Sequence, residues 1–339
     1  MQSIILNEES MPRRDVEFKT IDQVTLRGWL YTPENDQQTP TDISSDNPPE
    51  NGAKGLLPCL IMTHGWSCVK EMDLPRFAEA FTSALSIAVL IYDHRSFGSS
   101  DTKPGCPERE IVPWEQQSDI SDAVSYLQVE CSDFIDPEGI ALWGYSFAGG
   151  HAITVGASDP RIKAVIACAP VVSGWGQARR IIRPEVLGST LKAFEEDRKA
   201  RYTGGNQPIA RIPVVSSDPN GIASLAAPEA YAYFSKYDKS NNLSSTWVND
   251  MTLRTSYLPL FHEAQGYIQY ISPRPLLMIV MDRDAQAMTD LELEAYEKAR
   301  EPKELQMLKG GHFDLFGEGN FEKAVEKQID FLRRWVVDS

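Results

Sequence analysis

Four short apolar runs, each free of charged residues, constrain the fold of this chain more than any other feature. They are Leu56 to Thr63, Ala88 to Tyr92, Ile140 to Trp143 and Ala164 to Ala169. A fifth, Leu276 to Met281, comes much later. Strands that are continuously apolar are buried on both faces, which is the situation of a parallel sheet covered by helices. Helical spacing fills the gaps between them. Pro75 suits a first helical turn, and Phe77, Phe81 and Leu85 share one face. Ile120, Ala123, Val124 and Leu127 follow the i, i+3, i+4, i+7 rule. Such alternation predicts an α/β fold with a mostly parallel central sheet. Alternating apolar positions in Val16 to Lys19 and Val24 to Tyr31 predict an antiparallel hairpin ahead of it, and Phe321, Val325, Ile329, Leu332 and Val336 an amphipathic closing helix.

At the third run the strand leads directly into Gly144-Tyr145-Ser146-Phe147-Ala148-Gly149. A serine flanked by small residues at a strand-to-helix corner marks a turn so tight that its hydroxyl is forced out at the top of the sheet. Ala148 stands where such a turn often has a second glycine, a small change in size. A serine hydroxyl is a weak nucleophile unless a base lies within hydrogen-bond reach and a third group fixes the tautomer of that base. Two later segments supply residues of the needed kind: Leu276 to Asp284, ending in Asp282 and Asp284, and Leu308 to Phe313, containing Gly310-Gly311-His312. His262 is the rival base. His64 and His94 belong to early loop motifs, and His151 follows Ser146 on the same helix.

The order Ser, Asp, His, with the histidine near the C-terminus, resembles that of the α/β-hydrolase superfamily. More narrowly, the chain resembles the dienelactone-hydrolase-like branch that includes fungal polyketide transferase-type hydrolases. Met62-Thr63-His64-Gly65-Trp66, Tyr92-Asp93-His94-Arg95-Ser96-Phe97-Gly98-Ser99-Ser100-Asp101 and the chain from Ser272 to His312 carry the likeness beyond Ser146. The resemblance implies the α/β-hydrolase fold, with a mostly parallel central sheet, helices on both faces and an inserted cap. It implies Ser146, Asp284 and His312 as the catalytic residues, Asp284 ahead of Asp282 by its distance from the end of the strand. The backbone N–H groups of Phe147 and Trp66 are the expected oxyanion donors. Trp66, Tyr145 and Trp175 are the expected substrate-binding side chains, and the loop from Asp93 to Asp101 is expected to brace the oxyanion loop.

The 339 residues are accordingly divided into a first part of the core (1–172), a cap insertion (173–271) and a second part of the core (272–339). Residues 33–55 are polar and rich in Pro, Asn, Asp and Ser, which predicts a mobile surface loop. From 173 to 271 periodicity is irregular and aromatic residues are modestly concentrated, compatible with an apolar lid or with a small separate core.

Composition removes several function classes. A net charge of −15 argues against binding nucleic acid, whose phosphates require Lys and Arg, and disfavours an acidic carrier protein as partner. Arg179, Arg180 and Arg183 are a local basic cluster read as a solvated helix face. No apolar stretch approaches the roughly 20 residues of a membrane span. No His, Cys and Asp cluster has ligand spacing and no Gly-x-Gly-x-x-Gly follows a strand, so neither metal nor cofactor is expected. The start of the sequence lacks a basic region followed by an apolar one, and Cys59, Cys68, Cys106, Cys131 and Cys168 are odd in number; a reduced, cytoplasmic protein is expected.

The expected activity is cleavage of a carboxylic ester, lactone or thioester of a small acyl molecule through an acyl-enzyme on Ser146, and the resemblance implies a place in polyketide-type secondary metabolism. Alternatives are transfer of the acyl group to an alcohol or amine, hydrolysis of a carbon–carbon bond, and non-catalytic binding on the same fold.

Overall fold

The computed structural model describes residues 13–33, 55–204, 208–218, 221–240 and 242–339. The polar stretch expected to form a loop lies, from 34 to 54, outside the described residues. The main sheet strands are β1 (Arg13–Lys19), β2 (Thr25–Tyr31), β3 (Leu57–Thr63), β4 (Ala88–Tyr92), β5 (Ile135–Tyr145), β6 (Ala164–Cys168), β9 (Leu276–Met281) and β10 (Lys303–Leu308). Between β6 and β9, the two-residue strands β7 (Arg211–Ile212) and β8 (Met251–Thr252) pair with each other. The eight-stranded sheet runs in the order β1-β2-β4-β3-β5-β6-β9-β10. β1 and β2 pair antiparallel, as does β2 with β4, and the remaining neighbours are parallel.

The apolar runs became the interior of this sheet because both of their faces are covered. The helices α1 (Leu74–Ala84) and α9 (Asn320–Leu332) close one face, with Phe77, Phe81, Phe321 and Phe331 in one cluster. The helices α2 (Pro113–Glu130), α3 (Phe147–Ser158) and α8 (Thr289–Lys298) close the other. β4, β6 and β9 are buried at every position. This α/β-hydrolase architecture puts the C-terminal ends of β3, β5, β9 and β10 side by side, and the loops that follow them converge there.

The segment between β6 and β9 holds α4 (Gly174–Ile181), α5 (Pro184–Thr203), α6 (Pro228–Phe234) and α7 (Leu253–Tyr257), followed by single 3-10 turns. Among the described residues, much of its buried apolar surface joins the two clusters of the main sheet. Val214, Tyr233, Phe234, Trp247 and Met251 join the cluster on the α1/α9 side, and Ala264, Ile268 and Ile271 join the one on the α3 side. No helix among the described residues is long and apolar enough to cross a membrane. All five cysteines are unpaired.

Candidate active site

β5 ends at Tyr145 and α3 begins at Phe147, leaving Ser146 alone at the corner with φ 59° and ψ −120°. L-residues rarely occupy that region, and the surroundings must hold it. They do so through two backbone bonds to the next strand and the loop beyond it: Ser146 N–H donates to Cys168 O at 2.8 Å, and Val171 N–H donates to Ser146 O at 2.9 Å. A side chain at Gly144 would collide with the Ala148 carbonyl, so glycine is required there. Ala148 is fully buried.

Ser146 Oγ lies 2.8 Å from His312 Nε2, and His312 Nδ1 lies 2.6 Å from Asp284 Oδ2. All three are buried. They meet because His312 sits on the loop after β10, in a 3-10 turn (His312–Phe316), and Asp284 on the loop after β9. Asp284 Oδ1 accepts from the backbone N–H groups of Gln286 at 2.7 Å and Ala287 at 2.8 Å. Burial alone would raise the Asp284 carboxyl, but the neighbouring imidazole and those two N–H groups outweigh it and hold it below the usual carboxylate range. Asp282 points elsewhere: it accepts from Gly310 N–H at 2.8 Å, which anchors the loop leading to His312. Tyr145 Oη donates to the His312 carbonyl at 3.1 Å, and its ring lies against the imidazole with centroids 5.0 Å apart. The hydroxyl of Tyr145 is thus occupied in holding the histidine, while its ring lines the cavity.

The loop after β3 passes Ser146 so closely that a Cβ on Gly65 would lie 2.9 Å from the Ser146 Cβ. The Phe147 N–H is the first of α3 and has no partner within the helix. Trp66, next after Gly65, meets Phe147 edge-on with ring centroids 5.1 Å apart. The loop from Asp93 to Asp101 lies behind. Asp93 accepts from Lys70 N–H at 2.8 Å and from Ser99 N–H at 2.9 Å, and His94 N–H donates to His64 Nε2 at 3.2 Å. That loop therefore fixes the two ends of the segment carrying Gly65 and Trp66.

The other histidines do not reach Ser146. Gln117 Nε2 donates to His151 Nδ1 and to His262 Nδ1, each at 3.2 Å, and His151 Nε2 donates to Gln116 Oε1 at 3.1 Å. Only neutral imidazoles satisfy this arrangement. Burial pushes His262 down to about 4 and His151 well below its usual value. His262 is thus a packed partner of α2 and α3 rather than a base for Ser146.

A cavity of about 670 Å³ opens over Ser146 and His312. Its roof comes from α4 and α5, with Ile181, Val186, Thr190 and Phe194 on the inner side, and from residues 221–226. Trp175, expected to bind substrate, does not line it. Gln177, Ala178 and Ile181 put the inner face of α4 on one side, and position 175 falls off that face. Trp175 is 45% exposed, and its backbone N–H donates to Glu263 Oε1 at 3.2 Å. Sequence reasoning missed the cavity residues Phe194, Ser224 and Gln286. Gln286 alone had a clue, its position two residues beyond Asp284. Among the described residues no group of three or more His, Cys, Asp or Glu side chains is placed to hold a metal ion.

The residue geometry and the fold define a class, and comparison with known proteins identifies it. The family model described as the alpha/beta hydrolase family matches residues 60–322. The chain belongs to that family. It is 33% identical over 337 residues to the polyketide transferase grgF of a Penicillium species, covering 98% of this chain and 100% of the relative. It is 29% identical to a thiohydrolase of Eupenicillium brefeldianum, covering 96% of this chain and 95% of the other. The crystal structure of alpha/beta hydrolase GrgF from Penicillium sp. sh18 superposes with a TM-score of 0.75 at 31% identity, covering 96% of this chain and 99% of that one.

Proposed function

We propose that this protein is a serine acyl-transfer enzyme that takes an acyl group from an ester, lactone or thioester onto Ser146 and releases it to water. The observation that carries this reading is the Ser146 Oγ to His312 Nε2 distance of 2.8 Å, in line with Asp284 and beneath the cavity. Ser146 Oγ attacks the carbonyl carbon while its proton passes to His312 Nε2. The carbonyl electron pair moves onto oxygen, and the N–H groups of Phe147 and Trp66 stabilise that oxyanion. Losing one such donor typically costs about 10²–10³ in rate. Collapse breaks the bond to the alcohol or thiol, which leaves with the proton from His312. A water then gives its proton to Nε2 and attacks the acyl-enzyme, and the second tetrahedral adduct releases the acid and regenerates Ser146. Asp284 accepts the hydrogen bond from Nδ1–H throughout, keeps its own negative charge and stabilises the imidazolium.

The segment 173–271 acts as the cap, its inner wall holding the acyl chain at about 0.8 kcal/mol per buried CH₂. The names of the relatives support a polyketide-type acyl group and a place in secondary metabolism. They equally favour a second reading, since relatives are also named polyketide transferase and acyltransferase: the same acyl-enzyme intercepted by an alcohol or amine. The substrate is then a small acyl molecule, nucleic acid is no partner at a net charge of −15, and the free cysteines fit the cytoplasm.

Incubating the protein with a panel of acyl N-acetylcysteamine thioesters, with and without added alcohols and amines, tests both readings. Intact mass should show an acyl adduct on Ser146, and chromatography should show free acid or acyl-acceptor product. Thiol release that persists unchanged in the Ser146→Ala protein would contradict them.

A further inference from the structure

Among the described residues, the Ser224 hydroxyl on the cavity wall is seen accepting hydrogen bonds and not donating one. Trp66 Nε1–H donates to Ser224 Oγ at 3.1 Å, and the Ser256 hydroxyl donates to the same oxygen at 3.5 Å. A serine oxygen has two lone pairs and one proton. The Trp66 bond fills one lone pair, the Ser256 contact is at the long limit of a hydrogen bond, and the Ser224 O–H is left able to turn towards the cavity. Ser224, Ser256 and Trp66 all line the cavity above Ser146. The backbone of Ser224 is held, its N–H donating to Pro213 O at 3.0 Å and the next N–H, of Leu225, to Val214 O at 2.8 Å. The hydroxyl therefore stands on a fixed wall, not on a free loop tip.

Its place relative to the reacting centre follows from Trp66. The indole ring meets Phe147 edge-on, and Phe147 follows Ser146 directly. Ser224 is bonded to the far end of that indole. The Ser224 hydroxyl and Ser146 thus stand on the wall of one cavity, joined through the Trp66 and Phe147 rings, where an acyl chain leaving Ser146 passes. The neighbouring wall is largely apolar, with Leu225, Leu253 and Phe234 among its residues. A donor in such a wall discriminates among ligands, because one without a matching acceptor leaves it unpaired.

We propose that Ser224 is a specificity-determining residue that donates a hydrogen bond to an acceptor oxygen, a ketone, ester or hydroxyl oxygen, on the acyl chain beyond the reacting carbonyl. The protein thereby selects oxygenated acyl chains over plain alkyl chains. This rests on the acyl-enzyme reading above and adds the substrate feature that reading leaves open. The competing role for Ser224 is structural, as the partner that holds the Trp66 indole.

The two roles separate in one experiment. Values of kcat/KM are measured for octanoyl, 3-oxo-octanoyl and 5-oxo-octanoyl N-acetylcysteamine thioesters with wild type, Ser224→Ala and Ser224→Thr. Wild type should prefer at least one oxo-acyl thioester over octanoyl by about tenfold or more. Ser224→Ala should abolish that preference, and Ser224→Thr, which keeps the hydroxyl, should retain most of it. Equal losses on all three substrates in Ser224→Ala, or no preference in wild type, would overturn the inference. Labelling of Ser146 by a fluorophosphonate, followed by intact mass, is recorded alongside. Its loss in wild type would instead overturn the acyl-enzyme reading and this inference with it.

Discussion

Gln286 ties the loop that carries Asp284 to the roof of the cavity. Its backbone N–H donates to Asp284 Oδ1 at 2.7 Å, its carbonyl accepts from Gln177 on α4 at 2.6 Å, and its side chain donates to Glu229 on α6 at 3.1 Å. One residue thus links the proposed catalytic acid to two helices of the inserted segment. Gln286→Ala keeps the backbone bond to Asp284 and removes only the tie to α6. It should lower kcat by about tenfold or less, with a rise in KM, since a net hydrogen bond is worth about 0.5–1.5 kcal/mol. Steady-state kinetics on a single thioester checks this. Unchanged kinetics would show that the roof and the acid loop are independent.

The two aspartates after β9 should behave differently. Asp284→Asn should reduce kcat by about 10⁴, because the imidazole loses both its tautomer control and the stabilisation of its charged form. Asp282, whose contact is the Gly310 N–H, should cost far less as Asn. Paired kcat measurements decide, with circular dichroism to establish folding. The reverse ranking would move the acid role to Asp282.

Acid should destabilise the protein through the buried histidines. Burial holds the folded-state pKa of His262 down at about 4, against an ordinary 6.5 when the chain is unfolded. Below 6.5 the unfolded chain binds the extra proton and the folded one does not. The stability contributed by keeping His262 neutral is therefore complete above about 6.5 and is lost as pH falls towards 4, amounting to roughly 3 kcal/mol. Urea unfolding of wild type and His262→Asn between pH 7.5 and 4.5 should show a shallower pH slope for the variant. Parallel slopes would show that His262 does not titrate on unfolding in this range.

Chain-length preference should follow the cavity wall and ignore Trp175. Phe194 is buried at the inner side of α5 and lines the cavity. Phe194→Ala should change the preference between octanoyl and acetyl thioesters by about 1–3 kcal/mol in transition-state free energy. Trp175→Ala should leave it unchanged. A shift in both variants would mean that the roof moves as one body when the substrate binds.

Much of the fold was legible because its signals are local. Uninterrupted apolar runs such as Ala88 to Tyr92 have no stable place other than a strand covered on both faces, and β4 is buried throughout. The corner at Ser146 was legible for a related reason: Gly144 is the residue whose missing side chain the turn requires. The roof was not legible, and the reason is physical. Only Phe194 among the twenty residues of α5 is buried, so its inner face lines a cavity and carries no repeating apolar signal. Trp175 was misjudged because closeness in sequence to β6 says nothing about which side of α4 faces inward. Ser224 and Gln286 act through hydrogen bonds to residues far along the chain, Trp66 and Glu229, and no spacing rule reports such partners.

The central claim is that Ser146 is the nucleophile. The most direct measurement treats folded wild type and folded Ser146→Ala protein with a fluorophosphonate and maps the adduct by peptide mass spectrometry. The account predicts one phosphonyl group on the peptide containing Ser146 in wild type, blocked by prior incubation with a thioester substrate, and none in the variant. Equal labelling of both proteins, or an adduct on a different residue, would contradict it.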